Sequence, residues 1–201
     1  HPSGKVLIVI DDQNDDFPGE GQTAPVKADE TRTYLVDAVT RAQKHDILPY
    51  WSGMMPVSEE RGIFIAGTGG VDIHPAILKA VPDFPAVVRH RTDAFNGTNL
   101  NALPDEWGSR EIFVRGMQTC NGVGLTAIPT NATRYKTAIL SDCCTAETKT
   151  VHAIAPAGFG DIVPVPDDKD VANGNRIGRN GFSNAVFKQR GGFGRQFHQS
   201  R

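Results

Sequence analysis

The six residues Lys5 to Ile10, KVLIVI, put five aliphatic side chains in a row behind a single lysine. A strand with one wet face alternates apolar and polar residues. A continuous run of this length fits a strand covered on both faces, as in a parallel sheet sandwiched by helices. The run ends abruptly in DDQNDD, residues 11–16, where the chain must leave the core.

The segments that follow keep this rhythm. From Ala28 to Asp46, Leu35, Ala38, Val39 and Ala42 recur at i, i+3, i+4 and i+7, an amphipathic helix. Further strands are expected at Ile47–Trp51, Ala86–Arg89, Glu111–Gly116, Lys136–Leu140 and Asp161–Val165. A loop carrying Gly53, Pro56, Gly62 and the GTGG of Gly67 to Gly70 follows the second strand. A short helix interrupted by Pro104 fits Asn99–Trp107, and another fits Val123–Ala132, with Pro129 an awkward interior residue. Strands alternating with helices predict an α/β fold: a doubly wound, six-stranded parallel sheet with helices on both faces and right-handed crossovers. One domain over residues 1–165 accounts for it. Residues 166–201, rich in Gly, Asn and Arg, form an arm or tail; its phenylalanines suit packing on a neighbouring copy, hence a homo-oligomer.

Charge and cysteine content narrow the function. A net charge of -2 gives no footprint for nucleic acid or an anionic membrane. No apolar run approaches the roughly 18–20 residues of a spanning helix. The three cysteines, Cys120, Cys143 and Cys144, are too few and too oddly placed for a disulfide framework, which favours a reducing compartment such as the cytoplasm. The chain opens on His1 rather than Met, so residues before it are expected to have been removed.

In a parallel sheet the carboxyl ends of the strands share one edge, and ligands bind there. Three strand ends carry polar chemistry: Asp11 with Gln13, Asn14 and Phe17 behind it; Arg89; and the turn GMQTCNGV from Gly116 to Val123. Taken singly, each has an ordinary explanation. An Asp after a strand caps turns, a lone Arg makes ion pairs, and a lone Cys packs as a small hydrophobe.

Together they resemble a family. LIVIDDQNDDF is similar to a strand followed by D-x-Q-N-D-F, and VVRHRTDAFNGTNL to K-x-R-Y-S-A-F-x-x-T-x-L. IFVRGMQTCNGVGLTA is similar to a strand followed by G-x-x-T-x-x-C-V-x-x-T-A. AILSDCCTAE with His152 resembles the strand that comes next. These motifs, spread from Val6 to His152, resemble the isochorismatase-like hydrolases, or cysteine hydrolases, which include nicotinamidases. The resemblance implies their three-layer α/β fold and a small-molecule substrate. It sets Asp11, Arg89 and Gly122 on the positions of an Asp–Lys–Cys triad, so the nucleophile's place holds glycine and Cys120 lies two residues before it.

Glycine cannot attack a carbonyl. True isochorismatases resemble this chain in having Gly there; they cleave a vinyl ether, which calls for an acid and water instead of a thiolate. The resemblance then implies Asp11 as acid/base, its proton affinity raised by neighbouring Asp12, Asp15 and Asp16, with Arg89 as a fixed cation. It places Gln13, Phe17, Gln118, Thr119, Cys120 and Asn121 around the substrate, and Arg61 on a substrate carboxylate. It also implies a cis peptide between Met117 and Gln118. Where isochorismatases carry pocket aromatics, this chain has His90, Thr92 and Gln118. The D-x-H metal motif of nicotinamidases has no counterpart, so neither metal nor cofactor is expected. Two alternatives stand beside this reading: a cysteine amidohydrolase disabled at position 122, and a non-catalytic binding member of the fold.

Overall fold

In a computed structural model, residues 4–17, 28–55, 62–83, 85–129, 135–160 and 162–166 are described. The apolar runs become one sheet of five parallel strands. They are β1 (Lys5–Ile10), β2 (Leu48–Met54), β3 (Ala86–Arg89), β4 (Glu111–Met117) and β5 (Lys136–Thr145), in the order β3-β2-β1-β4-β5. The helices are α1 (Ala28–Lys44), α2 (Pro75–Ala80), α3 (Ala102–Glu106), α4 (Gly124–Ala127) and α5 (Lys149–Phe159).

The central place of β1 explains its composition. Val6, Ile8 and Ile10 pack on one face with Ile112, Val114 and Ile139; Leu7 and Val9 pack on the other with Leu35, Val39 and Phe113. All five β1 aliphatics are between 0% and 2% exposed, and each such burial stabilises by about 1.5–3 kcal/mol. The α1 stripe read from the sequence supplies the cover on the second face.

Three expectations are corrected. The sixth strand is absent among the described residues. Ile162 to Pro166 does run beside β5, where Pro164 and Pro166 carbonyls accept from Ile139 and Ser141 amides at 2.9 and 3.1 Å. Prolines at both positions have no N–H to return, so no regular ladder closes. The helix expected at Val123–Ala132 is α4, which stops at Ala127, ahead of Pro129; one wide π turn, Thr119–Val123, precedes it. The second strand continues past Trp51 to Met54. The C-terminal arm and Arg61 lie outside the described residues.

The strand order sets the location of a site. The chain winds from β1 out to β3, then returns to the far side of β1 for β4 and β5. The two crossovers therefore diverge between β1 and β4, and a crevice opens beyond their carboxyl ends.

Candidate active site

Residues Asp11 and Asp12 leave β1 with φ of 59° and 57°. Left-handed backbone is uncommon away from glycine, and Asp tolerates it better than most residues. The turn is anchored on both sides. Asp11 N donates to Ser52 O at 3.0 Å, the Trp51 indole N–H donates to Asp11 O at 2.5 Å, and His74 N donates to Asp12 O at 2.9 Å. The two consecutive side chains meet different partners: Asp11 reaches the crevice, while Asp12 is fully buried on Arg115.

Arg89, at the end of β3, closes on Asp11 with a two-pronged contact. Nη1 meets Oδ1 at 2.5 Å and Nη2 meets Oδ2 at 2.9 Å. Nη1 also donates to Ser52 O at 2.9 Å, and Nε to Thr92 O at 3.3 Å. Four of five N–H groups are thus engaged; the fifth belongs to Nη2. Arginine has only donors, so both Asp11 oxygens act as acceptors. Oδ1 takes a further bond from Met54 N at 3.1 Å, whereas Oδ2 keeps capacity for one more donor.

Gly122 faces this pair. A Cβ added there would lie 2.7 Å from Ile10 Cγ2, 2.9 Å from Arg89 Nη2 and 3.3 Å from Met117 O. The guanidinium and Ile10 thus occupy the space where a side chain at 122 would begin. The strand leading into the turn needs glycine too: Gly116 has φ of 121°, and a Cβ there would lie 2.1 Å from Ile10 O. The Met117–Gln118 peptide is cis. The amides of Asn121 and Val123 turn back onto Gln118 O at 3.0 and 3.2 Å.

The crevice is lined by Asp11, Asp16, Met54, Ile63, Phe64, Arg89, Thr92, Gln118, Asn121, Gly122 and Glu147. Its volume of about 170 Å³ suits a small molecule. Of the residues read from the sequence, Asp11, Arg89, Gly122, Gln118 and Asn121 come together here. Four others do not line it. Gln13 is spent as a clamp: its side-chain amide donates to Met54 O at 2.9 Å and Val71 O at 2.8 Å and accepts from Met54 N at 2.8 Å. Phe17 is 2% exposed in the core, its ring 4.4 Å from that of His74. Thr119 is fully buried, donating to Thr145 O at 2.9 Å and meeting His152 Nδ1 at 2.8 Å. Cys120 is half-buried on the π turn. Among the described residues no His, Cys, Asp and Glu side chains cluster in threes to hold a metal ion.

The reading from sequence missed Asp16, Met54, Ile63, Phe64 and Glu147. A signal for Asp16 existed. Against D-x-Q-N-D-F the chain carries one extra acid, so Asp16 stands where the aromatic is expected and Phe17 is displaced into the core. It also missed the pair beneath the site. Asp12 and Arg115 are both fully buried and in contact, yet Asp12 Oδ1 and Arg115 Nε and Nη2 lack protein partners. Burial outweighs the guanidinium and pushes the Asp12 carboxyl up to about 6. Burial also pushes the Cys144 thiol up to about 12, which removes it as a nucleophile at neutral pH.

Residues 5–159 match the model of the isochorismatase domain family. The chain is 27% identical over 163 residues to a protein of Arabidopsis thaliana named "probable inactive nicotinamidase", covering 73% of this chain and 83% of that one. Among solved structures it superposes on an isochorismatase-like hydrolase from Alkaliphilus metalliredigens with a TM-score of 0.75 at 21% identity, covering 85% of this chain and 98% of that one. The nicotinamidase of Staphylococcus aureus gives a TM-score of 0.66 at 19% identity, over 82% and 97% of the two chains.

Proposed function

This chain belongs to the isochorismatase family, and from that premise we propose that it is a hydrolase of a small molecule that works without a covalent nucleophile. The observation that carries the reading is the fit of Gly122 against Arg89. In a cysteine hydrolase the side chain at this position must reach a substrate carbonyl. Here its first carbon would already lie 2.9 Å from a guanidinium nitrogen that Asp11 holds in place. The Asp11–Arg89 pair therefore fills the nucleophile's space, and water is the remaining attacking group.

Asp11 is the acid/base of this reading, in the base's role first. Its Oδ2 can take a proton from a water in the crevice while Oδ1 stays fixed by Arg89 Nη1 and Met54 N. The remaining N–H of Arg89 Nη2 is available to a substrate oxygen beside Gly122, and Gln118 and Asn121 offer side-chain amides on the same wall. Such donors suit a substrate with a carboxylate or carbonyl next to the bond that breaks. The test is turnover of a vinyl ether such as isochorismate and of small esters and amides by the unsubstituted chain and by Asp11→Asn. Hydrolysis lost in Asp11→Asn supports the reading; turnover that survives it does not. The alternative is a non-catalytic member of the family, favoured by the name of the Arabidopsis relative; it predicts binding without turnover.

A further inference from the structure

The turn after β1 carries four carboxyls, and three of them are visibly committed. Asp11 is clasped by Arg89, Asp12 rests on Arg115, and Asp15 accepts from Phe64 N at 2.6 Å. Asp16 has one amide only: Gln13 N donates to its Oδ2 at 3.0 Å. It is 3% exposed and lines the crevice, so the little surface it keeps is crevice surface.

We infer that Asp16 is the general acid of the site, its second carboxyl oxygen delivering a proton to the group that leaves the substrate. The inference rests on the hydrolytic reading above and adds to it a separate proton donor, so that Asp11, an acceptor held by a guanidinium, serves as the base. Burial raises the Asp16 carboxyl well above its ordinary 3.8, and the charges of Asp11 and Asp12 push the same way. The Gln13 amide and Arg89 pull back without reversing it. Glu147 is the remaining acid on the crevice wall; Met54, Ile63 and Phe64, from β2 and the segment beyond it, bring no charge. Two carboxyls whose surroundings set them apart, one an acceptor and one a proton carrier, are the usual division of labour between base and acid.

The step balances. Water oxygen bonds to the electrophilic carbon and loses a proton to Asp11. In an ester or amide the bond to the leaving group breaks, and that group takes its electron pair and the Asp16 proton. On a vinyl ether the Asp16 proton goes to the alkene carbon, water adds to the resulting oxocarbenium, and the hydroxyl proton of the hemiketal passes to the leaving oxygen as its bond to carbon breaks. The proton on Asp11 then returns through solvent to Asp16, and the net addition is one water.

The experiment compares the full chain with Asp16→Asn on isochorismate and on small esters and amides. Asparagine keeps the acceptor for Gln13 N, matches the neutral acid in shape and cannot give a proton. Expected is a fall in kcat of about 10²–10⁴-fold with KM little changed. The alkaline limb of the kcat/KM profile should disappear, while stability at neutral pH is kept. In parallel, carboxyl carbon NMR on the full chain should show a neutral Asp16 at pH 7, a signal that Asp16→Asn removes and Asp11→Asn does not. Turnover undiminished in Asp16→Asn, or an ionised Asp16 at pH 7, overturns the acid and leaves the hydrolase. No turnover of any probe by the unsubstituted chain overturns the hydrolase, and the acid with it.

Discussion

Gly122→Ala is the smallest change that probes the packing of the site. The new carbon would sit 2.7 Å from Ile10 Cγ2 and 2.9 Å from Arg89 Nη2, about 1 Å inside an ordinary carbon contact. Neither neighbour yields easily. Ile10 is fully buried in the central strand. Arg89 is held by Asp11, Ser52 O and Thr92 O. Overpacking of this kind costs about 1–3 kcal/mol. Lysine at 89 keeps a cation for Asp11 but has no second terminal nitrogen at Gly122, so one of the two clashes goes. Urea unfolding of Gly122→Ala, Arg89→Lys and the double variant measures this. The double should be more stable than the sum of the singles by about 0.5–2 kcal/mol. The same logic says that Gly122→Cys creates no amidase unless Arg89 is displaced. An unchanged urea midpoint for Gly122→Ala, strict additivity in the double, or amidase activity in Gly122→Cys alone would refute the packing argument.

Removing Arg115 as Arg115→Met should cost about 3–5 kcal/mol at pH 8, because it strands Asp12 as a buried charge; loss of less than 1 kcal/mol would show that the pair is not buried as described. That cost should shrink towards pH 4, where Asp12 takes a proton. In the unsubstituted chain Asp12 has a folded value of about 6 against 3.8, so the folded state binds more protons between the two. Its contribution is fully present below about 4 and lost as pH rises through 6, worth about 3 kcal/mol; Asp16, also raised, acts in the same direction. Denaturant midpoints at pH 4, 6 and 8 follow this, and stability rising over that window would contradict it. Cys120→Ala should retain most of the activity, since Cys120 does not line the crevice; loss of activity with a covalent adduct on Cys120 in mass spectra would contradict it.

The central strand, the helix at Ala28 and the meeting of Asp11 with Arg89 were legible because each rests on a local pattern and a general rule of parallel sheets. What escaped rests on contacts the pattern does not encode. The six-residue α2 is too short for a periodic stripe, although Pro75 at its first turn and the His74 side chain capping Ala76 N mark its start. Helix α5 carries Pro156 in its interior, which reads as a breaker, yet the helix runs past it to Phe159. Arg115, set inside the apolar run EIFVRG, was a visible anomaly whose partner could not be known before β4 was placed beside β1. Asp16 looked like one more member of an acidic run. Gln13 and Thr119 stand in motifs that suggest substrate contact, yet their hydrogen bonds are spent inside the protein, where they hold the turns that carry Asp11 and Gly122.

Intact-protein mass spectrometry during single turnovers of isochorismate and small esters and amides tests the absence of a covalent nucleophile most directly. The account predicts no mass adduct on any residue during turnover, and no reaction in Asp11→Asn. An adduct that forms and decays at the rate of turnover, or full activity in Asp11→Asn, would contradict it.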